Sequence, residues 1–173
     1  GSHRDGQSQD RASLTVLCVS YLARFENDDA VHWLLRDIWP HLRAQVPDAL
    51  LRIAGAGAKP ALTELVAATP GVELLGYVED LKPEYQRADV AIVPLRFGAG
   101  VKFKTVDALV RGVPVVTTPV GAEGIAEDGH PDAALFAHVG DQPDALAEAL
   151  IAIASDPSPV RQRAAMARDW AVS

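Results

Sequence analysis

The chain has 173 residues, of which 49% are hydrophobic and 23% charged, and its formal net charge is -7. This length predicts one ordinary domain, and the apolar fraction is ample for a packed core and argues against a disordered chain. The acidic balance argues against a nucleic-acid-binding protein. The single cysteine, Cys18, excludes an internal disulfide and a multi-cysteine metal site. No run of 18 or more apolar residues is present, so the sequence contains no candidate integral membrane segment.

The amino-terminal segment differs in composition from the rest of the chain. Residues 1–13 are polar and without periodicity, and we interpret them as the remnant of a cleaved tag followed by a linker. The folded domain is predicted over residues 14–173.

Hydrophobic patterns then alternate between strand and helix along the domain. Short apolar runs rich in β-formers predict strands at residues 14–19, 49–54, 72–75, 90–93, 113–116 and 134–136. Helical spacing of apolar residues predicts helices that open at Asn27 and at Pro60, and further helices over residues 80–88, 101–111, 145–154 and 160–170. Asn27 itself is interpreted either as the cap of the first helix or as a ligand contact.

This alternation predicts an α/β fold, a doubly wound, Rossmann-like parallel sheet of about six strands with helices on both faces. The usual strand order for six such strands is 3-2-1-4-5-6, and ligands bind outside the carboxyl ends of the first and fourth strands. The two loops expected to line this crevice are residues 20–27 and 94–104.

The second of these loops combines three features of an anion site. Two of the chain's four lysines, Lys102 and Lys104, occur here close to Arg96. Gly98 and Gly100 lie between the cations and permit close approach of the backbone to a ligand. A predicted helix begins directly afterwards, and its first N–H groups lack partners within the helix. These features favour a phosphate or diphosphate, and the alternative is a solvated basic loop that turns into a helix.

Two common nucleotide-binding motifs are absent from the sequence. Phe103 stands where a P-loop would have its second glycine, and a P-loop normally follows the first strand, so a nucleoside triphosphatase is excluded. The loop after the first strand has no glycine, so the dinucleotide fingerprint is missing as well.

An acidic residue follows on the same predicted helix. The carboxylate of Asp107 could accept hydrogen bonds from the ribose hydroxyls of a nucleotide. It could equally form a surface pair with Lys104 or Arg111, and the spacing does not separate these interpretations.

The loop and its surroundings resemble a known family. Residues 93–96, the Gly98–Lys104 loop, the Gly-Val-Pro-Val-Val run from Gly112 and residues 121–125 are together similar to the carboxyl-terminal domain of GT-B glycosyltransferases, in the retaining "glycosyl transferases group 1" family. The segment from Leu74 to Asp80 and the segment from Asn27 to Leu35 add to the resemblance, which extends from about Val16 to Trp170.

The resemblance implies a nucleotide-diphosphate sugar donor, UDP- or GDP-linked, and no metal or other cofactor. Its substrate-binding residues would be Arg24, Tyr77, Val78, Arg96, Gly98, Gly100, Val101, Lys102, Lys104 and Asp107. The glycines, Val101 and the lysines would hold the diphosphate, with Arg24 and Arg96 adding positive charge. Asp107 would bind the ribose, and Tyr77 and Val78 would lie beside the base. Ala99 occupies the position of a glutamate found in many members, so no catalytic residue is assigned.

The function implied is that of a donor-binding domain of a retaining, metal-independent transferase. Its amino-terminal, acceptor-binding partner domain would be missing, so the fragment is expected to bind donor without turnover. Alternatives are a sugar-nucleotide epimerase of the same fold and a non-catalytic nucleotide-binding module. The expected location is the cytoplasm, with peripheral membrane association left open for the full-length enzyme.

Overall fold

The sheet follows the predicted strand order. The computed structural model describes residues 13–125 and 135–172. Within them six parallel strands pair in the order β3-β2-β1-β4-β5-β6. The strands are β1 Thr15–Val19, β2 Leu50–Ala54, β3 Val72–Gly76, β4 Val90–Val93, β5 Val115–Thr117 and β6 His138–Val139. The predicted doubly wound, Rossmann-like fold is therefore confirmed.

Helices connect these strands and cover both faces of the sheet. They are α1 Phe25–Trp33, a π-helical turn Leu34–Ile38, α2 Trp39–Gln45, α3 Pro60–Ala68, α4 Lys82–Arg87, α5 Phe103–Val110, α6 Pro119–Ala122, α7 Pro143–Ser155 and α8 Ser158–Val172. A proline lies within the first two positions of α3, α6 and α7, where its missing N–H group costs no helical hydrogen bond.

The core is divided by the sheet into two clusters, as the alternation of side chains along β1 shows. Val16 and Cys18 pack with Trp39 of α2 in one cluster, whereas Leu17 packs with Leu109 of α5 in the other. Successive side chains of a strand point to opposite faces, so β1 is buried on both sides. This explains why its sequence is a continuous apolar run.

The first helix begins earlier than the sequence pattern predicted. Arg24 is the residue that precedes α1, and Phe25 is its first helical residue. Asn27 therefore lies inside the first turn, and its interpretation as a helix cap is wrong. The helical path continues without a break through the π-helical turn into α2.

The sixth strand was predicted at residues 134–136. This prediction is wrong for residues 135 and 136, which are the two of these that the structure describes. Leu135 and Phe136 precede the strand, which is His138–Val139. Both side chains are buried in the core. Their apolar character therefore indicated that they are buried, and not that they form a strand. Ala134 and the segment 1–12 lie outside the described residues. Among the residues that are described, no helix is both long and apolar enough to cross a membrane.

Candidate functional site

A cavity of about 690 Å³ opens between the loops that follow β1 and β4. These two strands are adjacent in the sheet, and the chain winds outward from them in opposite directions. The cavity therefore lies at the switch point where the fold predicts a ligand crevice. Its lining includes Ser20, Arg24, Phe25, Asn27, Phe97, Gly98, Val101, Lys102 and Lys104.

Lys104, in the first turn of α5, holds a fixed position in this cavity. Its Nζ donates hydrogen bonds to Ser20 Oγ at 3.1 Å and to Asn27 Oδ1 at 2.9 Å. Burial lowers the pKa of Lys104 from its ordinary value. An ammonium group has three hydrogens, so these two bonds leave one donor for a ligand.

Lys102, the residue that precedes α5, has an ammonium group that is held by two backbone carbonyls and lies near a carboxylate. Its Nζ donates to the carbonyl oxygen of Gly100 and, at 3.1 Å, to that of Val120. The Glu123 carboxylate lies 3.7 Å from the same nitrogen. Lys102 thus ties the glycine loop to α6, and Glu123 compensates part of its charge.

Arg24 lies at the amino-terminal end of α1 and is largely exposed. Its guanidinium pairs with the Glu26 carboxylate at 2.8 Å, on the rim of the cavity. Exposed pairs of this kind are weak, so the guanidinium remains free to exchange partners.

Arg96 lies outside the set of residues that line the cavity. Its guanidinium makes a two-pronged interaction with the Asp29 carboxylate, including a 3.0 Å bond from Nε. It also lies over the ring of Trp33, 5.3 Å from the ring centre. Arg96 therefore fastens the loop after β4 to α1, and the structure does not place it beside Lys104.

The glycines between the cations adopt backbone conformations that other residues rarely reach. The φ angles of Gly98 and Gly100 are 125° and 84°. Gly98 and Val101 line the cavity, whereas Gly100 contributes its carbonyl to Lys102. The loop shape thus depends on both glycines.

Asp107 is directed toward a different group of side chains. Its carboxylate accepts a 3.1 Å bond from Arg111, and the Arg111 guanidinium lies 5.0 Å from the centre of the Tyr85 ring. Burial, followed by the nearby Asp107 charge, raises the pKa of Tyr85. Of the pairings left open by the spacing, the one with Arg111 is present, and the ribose role stays a prediction.

A second cavity, of about 360 Å³, adjoins the first. Tyr77 and Val78 line it, and it shares Val19, Ser20 and Tyr21 with the larger cavity. The Tyr77 side chain is mostly exposed. The two cavities therefore adjoin at the loop after β1, with Tyr77 and Val78 in the smaller one and Lys102 and Lys104 in the larger one.

Sequence reasoning missed the two residues that hold Lys104. Ser20 and Asn27 are buried polar side chains. Ser20 belongs to no recognisable motif, and Asn27 begins a segment of the family resemblance that gave no indication of a contact with Lys104. The signal that could have identified them is the combination of a polar residue at the end of β1 with another one turn into α1, both at the predicted crevice.

Comparison with known proteins agrees with this fold. Residues 14–156 match the family model described as glycosyl transferases group 1. A relative from Klebsiella pneumoniae, described as an uncharacterized 44.6 kDa protein in the cps region, is 31% identical over 122 residues, which is 66% of this chain and 31% of the relative.

Three solved structures with the same fold illustrate the structural similarity. Anabaena HepE, in complex with UDP-glucose, is 18% identical with a TM-score of 0.73, covering 98% of this chain and 47% of that one. A variant of S. aureus TarM in complex with fondaparinux, alpha-GlcNAc-glycerol and UDP is 13% identical with a TM-score of 0.73, covering 90% and 31%. WaaG, a glycosyltransferase involved in lipopolysaccharide biosynthesis, is 24% identical with a TM-score of 0.68, covering 99% and 46%.

The chain therefore spans about a third to a half of the length of these proteins. The matches confirm the expected resemblance to the carboxyl-terminal domain of GT-B glycosyltransferases. Because the family model covers most of the described residues, the chain belongs to the glycosyl transferases group 1 family.

Proposed function

We propose that this chain is the donor-binding domain of a retaining, metal-independent glycosyltransferase that uses a UDP- or GDP-linked sugar. The observation that carries the proposal is Lys104, whose ammonium keeps one unused donor in the cavity at the β1–β4 switch point. The adjoining cavity beside Tyr77 and Val78 offers an apolar place for a base. A nucleoside diphosphate would extend from the smaller cavity, with its base, into the larger one, with its phosphates.

The chemistry of sugar transfer requires this site to stabilise a departing diphosphate. Negative charge develops on the leaving oxygen as the bond to the sugar breaks, and positioned cations lower the free energy of that state. Lys104 and the first N–H groups of α5 would face this charge, with Arg24 exchanging Glu26 for phosphate at the rim. In this proposal Gly98, Gly100 and Val101 shape the loop around the diphosphate.

The remaining residues have supporting roles in the proposal. Lys102 holds the loop after β4 to α6, and Arg96 holds the same loop to α1. Both side chains add positive potential near the cavity. Asp107 would exchange Arg111 for the ribose hydroxyls. No catalytic side chain is assigned on this chain, and the acceptor is expected to bind a separate amino-terminal domain. The chain alone would then bind donor without transferring its sugar.

Isothermal titration of the chain with UDP and with GDP tests the proposal. One of the two is expected to bind, and Lys104→Ala is expected to weaken that binding about tenfold or more, since a charge-assisted hydrogen bond is lost. Lys82→Ala is the control, because Lys82 is an exposed lysine of α4 that lines neither cavity. Absence of binding of either nucleotide at millimolar concentration, or unchanged binding after Lys104→Ala, would refute the site.

A turnover measurement tests the remaining part of the proposal. The chain is incubated with the UDP- or GDP-linked sugar whose nucleotide it binds, and release of free nucleotide is followed. No release above the rate in buffer is expected. Sustained release would show that the chain carries a complete hydrolytic or transfer site.

A further inference from the structure

The cations around the cavity differ in the kind of partner that holds them. Arg24, Arg96 and Lys102 each have a carboxylate partner, namely Glu26, Asp29 and Glu123. The Lys104 ammonium is held by the Ser20 hydroxyl and the Asn27 amide, which are both neutral. Within residues 13–125 and 135–172, no carboxylate forms an ion pair with Lys104. Its charge therefore lacks direct compensation by the protein.

Both the oxygen and the nitrogen of the Asn27 side-chain amide form hydrogen bonds next to Lys104. The side chain is only 7% exposed. Its Oδ1 accepts the bond from Lys104, and its Nδ2 donates to the Tyr21 carbonyl oxygen at 2.9 Å. An ammonium can only donate and a carbonyl can only accept, so the two partners together fix the orientation of the amide. Asn27 thus joins α1, the loop after β1 and α5 at one point.

Other side chains at this position would change the charge or lose a contact. An aspartate has the same shape, but its carboxylate would pair with Lys104 and would face the Tyr21 carbonyl without a hydrogen to donate. An alanine would remove the acceptor and leave a largely buried ammonium with one partner fewer. The neutral amide of Asn27 orients the Lys104 ammonium and leaves its positive charge uncompensated.

We infer that Asn27 is a positioning residue of the phosphate site, holding Lys104 in place without neutralising it, so that its third hydrogen and its charge serve the ligand's phosphate oxygens. This inference rests on the proposed function and deepens it. Asn27 acts through Lys104 and need not touch the ligand.

The charged and titratable groups around Lys104 allow this inference to be measured without ligand. Burial lowers the pKa of Lys104, negative charge on Cys18 and on Glu26 raises it, and the positive charges of Lys102 and Arg24 lower it. Asn27→Asp would place an additional anion in direct contact with the ammonium. The pKa of Lys104 should then rise, because an adjacent negative charge favours the charged form.

The first experiment is a pH titration of the ligand-free chain followed by NMR. The chain contains four lysines, so lysine labelled with ¹³C at Cε gives few signals, which Lys→Arg variants assign. Asn27→Asp is expected to raise the Lys104 pKa relative to the unsubstituted chain. Gln45→Glu is the matched control, since it makes the same amide-to-acid change at an exposed site on α2 and should leave Lys104 unaffected.

The second experiment compares, by calorimetry, the affinity for UDP, or for GDP where the unsubstituted chain binds GDP instead, in two variants whose folding is verified by thermal melting. Asn27→Ala is expected to weaken binding about tenfold, and Asn27→Asp is expected to weaken it further. A residue with only a structural role gives the opposite order, because the isosteric aspartate disturbs packing less than alanine does. If Asn27→Asp does not fold, Asn27→Ser, which keeps a neutral oxygen, should fall between Asn27→Ala and the unsubstituted chain.

A double substitution separates action through Lys104 from direct action on the ligand. In the Lys104→Ala background, Asn27→Ala should cost no further affinity. An additional loss of about tenfold there, an unchanged Lys104 pKa in Asn27→Asp, or the reversed order of affinities would overturn the inference. If UDP and GDP both fail to bind, the proposed function fails, and the ligand-free titration still decides the role of Asn27.

Discussion

The ring of Phe25 stacks on the ring of Phe97, with ring centres 5.4 Å apart and an angle of 14° between the planes. Phe25 is the first residue of α1, and Phe97 belongs to the loop after β4, so the pair bridges the two loops that form the cavity. The rings are 67% and 40% exposed. Their contact is therefore a bridge across the mouth of the cavity rather than part of the core.

Phe97→Ala is expected to lower the free energy of unfolding by about 1 kcal/mol, the usual contribution of an aromatic pair. The double substitution Phe25→Ala/Phe97→Ala should cost little more than either single one, since the shared contact is already lost. Phe103→Ala is the control, because this ring is 88% exposed, and it should change stability by less than about 0.5 kcal/mol. Denaturant unfolding measures all three, and strictly additive losses would contradict a stabilising contact.

The close approach of Gly55 to the loop after β1 gives a second prediction. A Cβ atom on Gly55 would lie 1.6 Å from the Ser20 carbonyl oxygen. Gly55→Ala should therefore displace Ser20, lower stability by about 3 kcal/mol and weaken UDP binding through Lys104. Thermal melting and calorimetry check the two effects.

Gly76→Ala is the comparison for that substitution. Gly76 has a φ of 71°, but no atom lies within 4 Å of the position that an added Cβ would take, so only backbone strain is introduced. Its cost should be about 1 kcal/mol, with UDP affinity retained. Equal effects of the two substitutions would show that steric displacement of Ser20 is not the cause.

The stability of the domain should depend on pH through Glu84. The hydrogen bond from Arg52 Nε, at 2.8 Å, is the main cause that holds the pKa of Glu84 below its ordinary value. A carboxyl whose pKa is lowered by folding stabilises the protein above its unfolded-state pKa, and this contribution disappears as the pH falls through the folded-state value. Glu84→Gln should thus cost about 1 kcal/mol at pH 7, and the difference should shrink below the ordinary pKa of 4.5.

Urea unfolding of both proteins between pH 7 and pH 3 measures that dependence. Glu64→Gln provides the control, since Glu64 is an exposed carboxyl of α3. It should show no comparable change with pH. A Glu84→Gln difference that stays constant down to pH 3 would contradict the assigned role of the Arg52 bond.

The ribose role of Asp107 can be tested by removing a hydroxyl from the ligand. If Asp107 exchanges Arg111 for the ribose, Asp107→Asn should weaken UDP binding severalfold and 2′-deoxy-UDP binding less. Arg111→Gln keeps the carboxylate and should preserve the preference for UDP. Calorimetry with both nucleotides gives the four affinities, and equal losses for the two ligands would assign Asp107 to its pair with Arg111 alone.

The sheet and the location of the cavity could be predicted because both depend on local patterns. Apolar runs such as residues 90–93 identify buried strands, and the order of parallel strands then determines where the crevice lies. The glycines and lysines of the loop after β4 predicted that this loop binds an anion. These features need no knowledge of side-chain partners.

The partners of the site residues could not be predicted, because they are distant in the sequence. Lys104 meets Asn27 across 77 positions, and Arg96 meets Asp29 across 67. Local pattern favoured a cap role for Asn27, since asparagine is common before helices. Tertiary packing instead placed it one turn further on, where a buried amide could reach Lys104. Arg96 was expected beside the phosphate for its charge, and its carboxylate partner on α1 was invisible in the sequence.

The orientation of α1 about its axis depends on the number of residues in the π-helical turn Leu34–Ile38. The turn accommodates one more residue than a regular α-helix would between α1 and α2. Because Trp39 and Leu42 anchor α2 in the core, deletion of one residue from the turn would rotate α1 by about 100° about its axis. Asn27 would then leave Lys104. The position of Asn27 relative to Lys104, and with it the proposed phosphate site, thus depends on the number of residues in a turn that does not line the cavity.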